Sequence, residues 1–173
     1  MEANEEKRLK YQEVIKDIPK EKLVYIDESG IDMNICKERG WGKKGEKLVG
    51  KKSGKHYERT NIIGGLLNNK AIAPMVFIGS CNTELFNSWV EQFLIKELKP
   101  GQFVIMDNAS FHKSEKTREL IESVGCKIIF LPAYSPDYNP IEKFWANMKR
   151  WIKDNINKFI ELYDTIKAFF QFC

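Results

Sequence analysis

The order of the predicted elements indicates an α/β domain in which a mixed five-stranded sheet carries helices on its faces. A run of antiparallel strands comes first, and two further strands then alternate with helices. Strand–helix–strand units of this kind place their strands parallel, through right-handed crossovers. The length of 173 residues and the hydrophobic content of 43% suit a single domain with a core of its own.

The first part of the chain predicts a leading helix and the first strand. Residues 3–17 are charged and helix-prone, with few apolar positions. We interpret residues 1–20 as a leading helix or a helical linker. The apolar run at 22–28 predicts the first strand, followed by a turn at Ser29 and Gly30.

The next part of the chain predicts further strands. An extended segment is expected near 32–38, and the Gly-rich stretch 40–54 is typical of a hairpin or a mobile loop. Residues 59–67 and 70–78 predict two strands. Pro74 favours an edge position for the second of them, because proline has no N–H to donate to a neighbouring strand.

Helices and strands alternate in the second half of the chain. Asn82 or Thr83 can cap a helix that runs to Leu98. The apolar stripe of this helix repeats every four residues. It consists of Leu85, Trp89 and Phe93, flanked by Phe86, Val90 and Leu94. Residues 102–106 then predict a buried strand that ends at Asp107.

The last third of the chain predicts three helices and one strand. Ser114 can cap a short helix at 115–123, and residues 127–131 predict the fifth core strand. A loop with three prolines leads into an amphipathic helix whose first turn carries Glu142. A Phe-rich helix is predicted at 158–172.

Three acidic residues occupy positions that favour metal binding. Asp27 ends the apolar run LVYID, and Asp107 ends the run FVIMD. If these strands are parallel, both carboxylates emerge at the carboxyl ends of strands, where α/β sheets place their sites. Glu142 stands near the border of the apolar stripe of its helix, beside lysines, and could face the same cleft.

Each of these acidic residues also has a purely structural explanation. Asp27 could start a turn, and Asp107 could start an Asx-type turn with Asn108. The sequence Asn-Pro-Ile-Glu, from Asn139 to Glu142, fits the first positions of a helix, where the Glu folds back onto its own backbone. Taken alone, Glu142 favours this capping interpretation.

Taken together, the three carboxylates form an oxygen-only ligand set, which suits Mg²⁺ or Mn²⁺ better than zinc or copper. Two such ions can activate water and stabilise the leaving oxygen of a phosphodiester. The set therefore predicts a metal-dependent nuclease with two ions and no small-molecule cofactor. No phosphate-loop motif is present, and two histidines leave little room for a zinc site or a Ser-His-Asp triad.

Basic residues are concentrated in one segment of the chain. The net charge is +4, but residues 37–59 hold nine Lys or Arg and three Glu, a net +6. Such a segment beside acidic residues favours a nucleic acid bound near metal ions, and a solvated loop is the alternative. DNA contacts are predicted at Trp41, Lys43, Lys44, Lys47, Asn108, His112, Tyr134, Lys149 and Arg150. His112 has a second interpretation, as a residue that stabilises its own loop.

Cysteine spacing and the charge of the N-terminal residues indicate the cellular compartment in which the protein is expected. The four cysteines form no C-x-x-C pair, which favours reduced thiols in a cytosolic protein. Residues 1–22 are too charged for a signal peptide. No apolar stretch approaches the roughly 20 residues that a membrane span needs, so no membrane partner is expected.

Four stretches of the chain resemble the DDE transposases, in the branch of mariner-type elements and their bacterial insertion-sequence relatives. They are DESG at 27–30, GWGKKG at 40–45, MDNASFHKS at 106–114 and LPAYSPDYNPIEKFWANMK at 131–149. The stretch LPAYSPDYNPIE is specific to that branch. The interval of 34 residues between Asp107 and Glu142 also matches it, and the resemblance extends over residues 21–155.

This resemblance implies an RNase H-like catalytic domain over residues 21–173, similar to the retroviral integrases. Asp27, Asp107 and Glu142 match the metal-binding triad of the family, which implies two Mg²⁺ ions. The enzyme would cut DNA at the ends of a mobile element and join the freed 3′-hydroxyl to target DNA. A homodimer in the bacterial or archaeal cytosol, associated with the nucleoid, is expected, with the segment around Trp41 contributing to dimer and DNA contacts.

Two other functions stay open at this point. One is a catalytically inactive remnant that binds DNA or dimerises, and the other is an RNase H-like nuclease that cuts without strand transfer. Full-length members of the family carry N-terminal helix-turn-helix domains, whereas about 20 residues precede the first predicted strand here. Recognition of specific element ends is therefore expected to need a further domain.

Overall fold

A mixed five-stranded sheet forms the centre of the computed structural model, which describes residues 5–31 and 60–172. The strands are β1 (Leu23–Ile31), β2 (Thr60–Leu67), β3 (Lys70–Ile78), β4 (Phe103–Met106) and β5 (Lys127–Phe130). Their order in the sheet is β3-β2-β1-β4-β5. The β1–β2 and β2–β3 pairs are antiparallel, and the β1–β4 and β4–β5 pairs are parallel. The predicted fold class, a mixed sheet with parallel crossovers, is confirmed.

Some sequence predictions fall outside the described residues. They are the extended segment near 32–38, the Gly-rich stretch 40–54, and the DNA contacts Trp41, Lys43, Lys44 and Lys47.

The first strand is longer than its sequence predicts. The predicted turn at Ser29 and Gly30 is wrong, because β1 continues through both residues to Ile31. Ser29 pairs with Ile62 and Gly30 pairs with Asn61, so the ladder with β2 overrides the local preference for a turn. The edge position predicted from Pro74 is confirmed, since β3 is the outer strand beside β2.

Helices cover both faces of this sheet. They are α1 (Glu5–Ile15), α2 (Thr83–Trp89), α3 (Ile95–Glu97), α4 (Glu115–Ser123), α5 (Ile141–Asn155) and α6 (Leu162–Phe172). The predicted start of the last helix at residue 158 is wrong. Ile156–Lys158 form a separate 3₁₀ turn, and Phe159 is extended, so a new helix has to begin after it. None of the helices in the described residues is long and apolar enough to span a membrane.

The helix predicted from residue 83 to Leu98 contains a wide turn. A π-helical segment, Val90–Leu94, joins α2 to α3. Part of the predicted stripe is wrong, because Phe93 is 42% exposed. The buried series is instead Phe86, Val90, Leu94 and Leu98, with Trp89 beside it. The wide turn therefore leaves Phe93 on the outer side of the helix.

Two apolar clusters sandwich the sheet. On one face, Phe86 and Trp89 of α2 pack with Ile26 and Val104 of the sheet. On the other face, Trp145 and Met148 of α5 pack with Ile62 and with α6. Helix α5, which carries Glu142, is therefore held on the sheet by a continuous buried stripe.

Candidate active site

The two aspartates lie at the same edge of the sheet. Within the parallel β1–β4 pair, Tyr25 is opposite Ile105, two residues before Asp27 and Asp107 respectively. Asp107 directly follows β4, and Asp27 pairs with Gly64 of β2. The parallel register thus brings Asp27, which lies within β1, and Asp107, which lies just past the carboxyl end of β4, to the same pocket. The prediction that Asp27 ends its strand is wrong, because β1 continues to Ile31 in its ladder with β2.

Glu142 reaches the same place from helix α5. A pocket of about 330 Å³ is lined by Asp27, Asp107 and Glu142 together with the loop that precedes α5. Gly64 contributes to this arrangement, because a Cβ built on it would lie 3.3 Å from Cη2 of Trp145. The missing side chain lets α5 approach the sheet directly beside Asp27.

The capping interpretation of Glu142 is wrong. The backbone N–H of Asn139, which a capping Glu would need as its donor, donates instead to the carbonyl of Pro136 at 2.9 Å. The residue at the start of α5 is Pro140, and it makes no side-chain capping bond. The carboxylate of Glu142 therefore remains available to the pocket.

The electrostatics of the pocket favour a cation. Burial is the main cause that raises the pKa of Asp27 to about 8, and the nearby charges of Glu142 and Glu28 contribute to the same rise, with a smaller effect of Asp107. A carboxyl among like charges is hard to ionise unless a positive charge joins them. A bound divalent cation would supply that charge.

His112 lies behind the pocket, where it joins two acidic residues. Its Nδ1 is 2.6 Å from Oδ1 of Asp107, and its Nε2 is 2.9 Å from Oε1 of Glu28. Burial lowers the pKa of His112, but the bonds to Asp107 and Glu28 outweigh this effect and raise the pKa to about 9. The hydrogen bond from His112 is also the main cause that lowers the pKa of Asp107.

This geometry separates the two interpretations of His112. The residue is 1% exposed and both of its ring nitrogens are engaged, so it stabilises its loop and presents no atom to a DNA strand. The role of Glu28 is not predicted from the sequence. One signal pointed to it, because the alternation of β1 sends Glu28 to the sheet face opposite Asp27.

The remaining predicted DNA contacts divide into two groups. Asn108 and Tyr134 line the pocket, and both are exposed. Tyr134 has a positive φ of 57°, and the side chain of Asn108 donates to the carbonyl of Leu131. Lys149 and Arg150 are exposed on α5 but do not line the pocket.

The leading helix α1 is attached to the loop that forms the pocket wall. Arg8 donates to Ser135 at 3.0 Å and to both carboxylate oxygens of Asp137, at 3.1 Å and 2.6 Å. The ring of Tyr11 stacks on that of Tyr138, with 5.4 Å between centroids. The predicted leading helix therefore packs on the loop that forms the pocket wall.

The donor set of the pocket fits a hard divalent cation. It consists of carboxylate oxygens together with Oδ1 of Asn139, which is buried and has no hydrogen-bond partner among the described residues. A buried oxygen without a partner is costly, and an ion or its hydration water would satisfy it. As they stand, the side chains of the described residues do not close into a three-ligand cluster.

Comparisons with known proteins agree with this architecture. A family model described as "DDE superfamily endonuclease" matches residues 22–165. A search among curated proteins found no match.

Several solved structures have a similar fold. The pre-cleavage Mos1 transpososome gives a TM-score of 0.66 at 15% identity, covering 87% of this chain and 50% of that one. The Mos1 transposase catalytic domain with Raltegravir and Mg gives 0.66 at 15% identity, with coverages of 99% and 84%. The catalytic core domain of BIV integrase gives 0.53 at 11% identity, with coverages of 85% and 79%.

These likenesses concern the fold. The chain spans about half the length of the longer Mos1 chains that it matches. The RNase H-like, integrase-like class predicted for the sheet and its flanking helices is confirmed.

Proposed function

This chain belongs to the DDE superfamily of endonucleases, and from that premise we propose that it is the catalytic domain of a transposase. It cuts DNA at the ends of a mobile element and joins the freed 3′-hydroxyl to target DNA. The observation that carries the proposal is the meeting of Asp27, Asp107 and Glu142 in one pocket from three separate parts of the chain.

The three carboxylates are proposed to hold two Mg²⁺ or Mn²⁺ ions. When bound, the ions supply the charge that activates the attacking oxygen and stabilises the leaving oxygen of the phosphodiester. Asp27 and Asp107 bind from the rigid sheet, and Glu142 binds from the first turn of α5. Asn139 would accept a hydrogen bond from the hydration water of a bound ion through its buried Oδ1.

DNA is the proposed partner, and the pocket is its point of contact with the reacting phosphate. Asn108 and Tyr134, at the pocket wall, are placed to contact the strand next to that phosphate. Lys149 and Arg150 are exposed on α5 and would contact DNA phosphates farther from the pocket. The basic segment 37–59 holds the largest concentration of positive charge in the sequence. Two element ends must be processed together, so we propose a homodimer as the active form.

The decisive experiment separates cutting from joining. The chain is incubated with a radiolabelled duplex carrying a free 3′-hydroxyl end and with a supercoiled plasmid, in Mg²⁺ or in EDTA. A transposase nicks DNA and forms joined products only with the metal. If DNA is cut but no joined product forms, the protein is a nuclease without strand transfer. If the protein binds DNA but neither binds the metal nor forms any product, it is an inactive remnant.

Substitutions then connect the activity to the pocket. Asp27→Asn, Asp107→Asn and Glu142→Gln are each expected to lower cleavage at least about 1,000-fold, because each removes a ligand charge from the reacting centre. Asp154→Asn is the matched control, since it removes one exposed carboxylate from the far end of α5. Full activity of Asp107→Asn would overturn the assignment of the triad.

A further inference from the structure

We infer that His112, held by Glu28, is the positioning residue that fixes the carboxylate of Asp107 for metal binding. This inference rests on the proposed function, because it assumes that Asp107 is a metal ligand. It adds two residues to the site that neither line the pocket nor touch the substrate.

Three residues form one connection behind the pocket. Glu28 of β1 accepts from Nε2 of His112 at 2.9 Å. On the other side of the ring, Nδ1 lies 2.6 Å from Oδ1 of Asp107 as an ion pair and 3.4 Å from the backbone carbonyl oxygen of Asp107. The imidazole side chain is fully buried, and the side chain of Glu28 is 19% exposed. The strand that carries Asp27 is thereby joined through one ring to the carboxylate that follows β4.

Local structure holds the imidazole in this orientation. His112 lies in the 3₁₀ turn Ser110–Lys113, and its backbone N–H donates to the carbonyl of Ala109 at 3.1 Å. The rings of Phe86 and Phe111 flank it, with centroids 4.5 Å and 4.4 Å away. The ring therefore has little freedom to turn away from its two partners.

These contacts occupy one carboxylate oxygen of Asp107, Oδ1, and leave the other, Oδ2, available to a metal ion. Oδ1 accepts from the backbone N–H of Ala109 at 2.9 Å and lies 2.6 Å from Nδ1 of His112 as an ion pair. Oδ2 has no hydrogen-bond partner among the described residues, although Asp107 lines the pocket. A hydrogen bond and an ion pair on the same oxygen fix the plane of the carboxylate, so Oδ2 is presented to an ion without loss of further rotational freedom.

Glu28 anchors the side of the ring that faces away from Asp107. Its carboxylate accepts from Nε2, so the ring is held at both nitrogens and its orientation toward Asp107 is fixed from two sides. Partners of this kind behind a metal ligand are commonly worth about 10–100-fold in metal affinity.

A matched pair of substitutions tests the positioning role. The amide nitrogen of Asn lies close to the position of imidazole Nδ1, and that of Gln lies close to the position of Nε2. His112→Asn therefore keeps the donor to Asp107 and loses the one to Glu28, whereas His112→Gln does the reverse. Both variants remove the same ring.

The two variants should rank in opposite order for metal affinity and for stability. His112→Gln is expected to bind Mn²⁺ about 10–100-fold more weakly than wild type, by competition with a fluorescent chelator and by electron paramagnetic resonance. His112→Asn should stay within a few-fold of wild type. His112→Asn should nevertheless be the less stable variant in urea, because it leaves the better buried carboxylate, that of Glu28, without a hydrogen-bond donor.

Three further variants complete the experiment. Glu28→Gln keeps an oxygen that accepts from Nε2 and should retain metal affinity, whereas Glu28→Leu should lose it. Ser114→Ala removes the hydroxyl that caps α4 next to His112 without touching Asp107, and should lower stability alone. If the loss of metal affinity simply follows the loss of stability across all five variants, the positioning role is wrong. If wild type binds neither Mg²⁺ nor Mn²⁺, the proposed function itself fails, which is a separate outcome.

Discussion

Asn139 combines a structural position with an unsatisfied polar group. Its carbonyl accepts from the N–H of Glu142 at 3.2 Å, so its backbone belongs to the start of α5. Its Oδ1 is buried without a partner among the described residues, at the wall of the pocket that holds the three carboxylates. Leaving such an oxygen unpaired costs about 1–3 kcal/mol in the metal-free protein.

Asn139→Leu should therefore separate stability from metal binding. The apolar side chain of similar shape removes the unpaired oxygen, so the metal-free variant is expected to be as stable as wild type or about 1 kcal/mol more stable in urea. Its affinity for Mg²⁺ should fall several-fold, measured by calorimetry. A variant that loses stability and keeps its metal affinity would show that Asn139 serves only the start of the helix.

The sequence predicts the carboxylates at the residue scale but not the contacts that support them. Asp27 and Asp107 were predictable because each ends an apolar run, which is a local property of the sequence, although β1 itself continues past Asp27 to Ile31. The contact of Glu28 with His112 joins residues 84 positions apart. This contact depends on the position of the 3₁₀ turn after β4 relative to the sheet, and no local sequence pattern predicts that position.

At the scale of elements, two adjacent glycines of β2 have different tasks. Gly64 faces α5, and a Cβ there would meet Trp145 at 3.3 Å. Gly65 faces the opposite side of the sheet, where a Cβ would lie 2.8 Å from Cγ1 of Ile72. Only the first of these contacts lies on the path from the sheet to Glu142.

Gly64→Val and Gly65→Val are therefore a matched pair. Each overpacks the core and should lower the free energy of unfolding by about 1–3 kcal/mol. Gly64→Val should also push α5 outward and weaken Mg²⁺ binding about tenfold or more, because Glu142 moves with the helix. Gly65→Val should bind the metal like wild type at a temperature where both variants are folded, as checked by circular dichroism. Equal metal affinities in the pair would show that the distance between α5 and the sheet does not set the site.

Element types were predictable from periodicity, and element ends were decided by tertiary contacts. Helix α4 begins at its predicted cap, since the hydroxyl of Ser114 accepts from the N–H of Thr117 at 3.1 Å. By contrast, β1 continues through Ser29 and Gly30 because β2 pairs with both of them. The π-helical segment after Trp89 was not predictable either, since Phe86, Val90 and Leu94 recur every four residues as in an ordinary helix.

At the scale of the whole molecule, the site lies at the end of the sheet that the two apolar clusters do not cover. Apolar clusters on both faces fix the positions of β1, β4 and α5, and the acidic groups collect at the edge between them. Rigid elements thus hold like charges together at a cost in stability. Such a cost is expected at a site that is completed by a cation.

This arrangement predicts how stability depends on pH. The pKa of Asp27 is raised to about 8, so the folded state holds a proton that the unfolded chain releases near pH 4. The pKa of His112 is raised to about 9, so its contribution to stability is complete below about pH 6.5 and is lost as the pH rises through 9. Both groups bind more protons in the folded state, and both therefore lower stability as the pH increases from 6 to 9.

The metal-free chain is accordingly expected to lose at least about 2 kcal/mol of stability between pH 6 and pH 9, in urea titrations with EDTA. Mg²⁺ should restore more stability at pH 9 than at pH 6, because an ion binds the ionised form of Asp27 and competes with the proton. Asp27→Asn removes one of the two titrations and one metal ligand. Its stability should fall less steeply with pH, and Mg²⁺ should change it little at either pH. If wild type were equally stable at pH 6 and pH 9 in EDTA, the carboxylates at this edge of the sheet would not be crowded enough to require a cation.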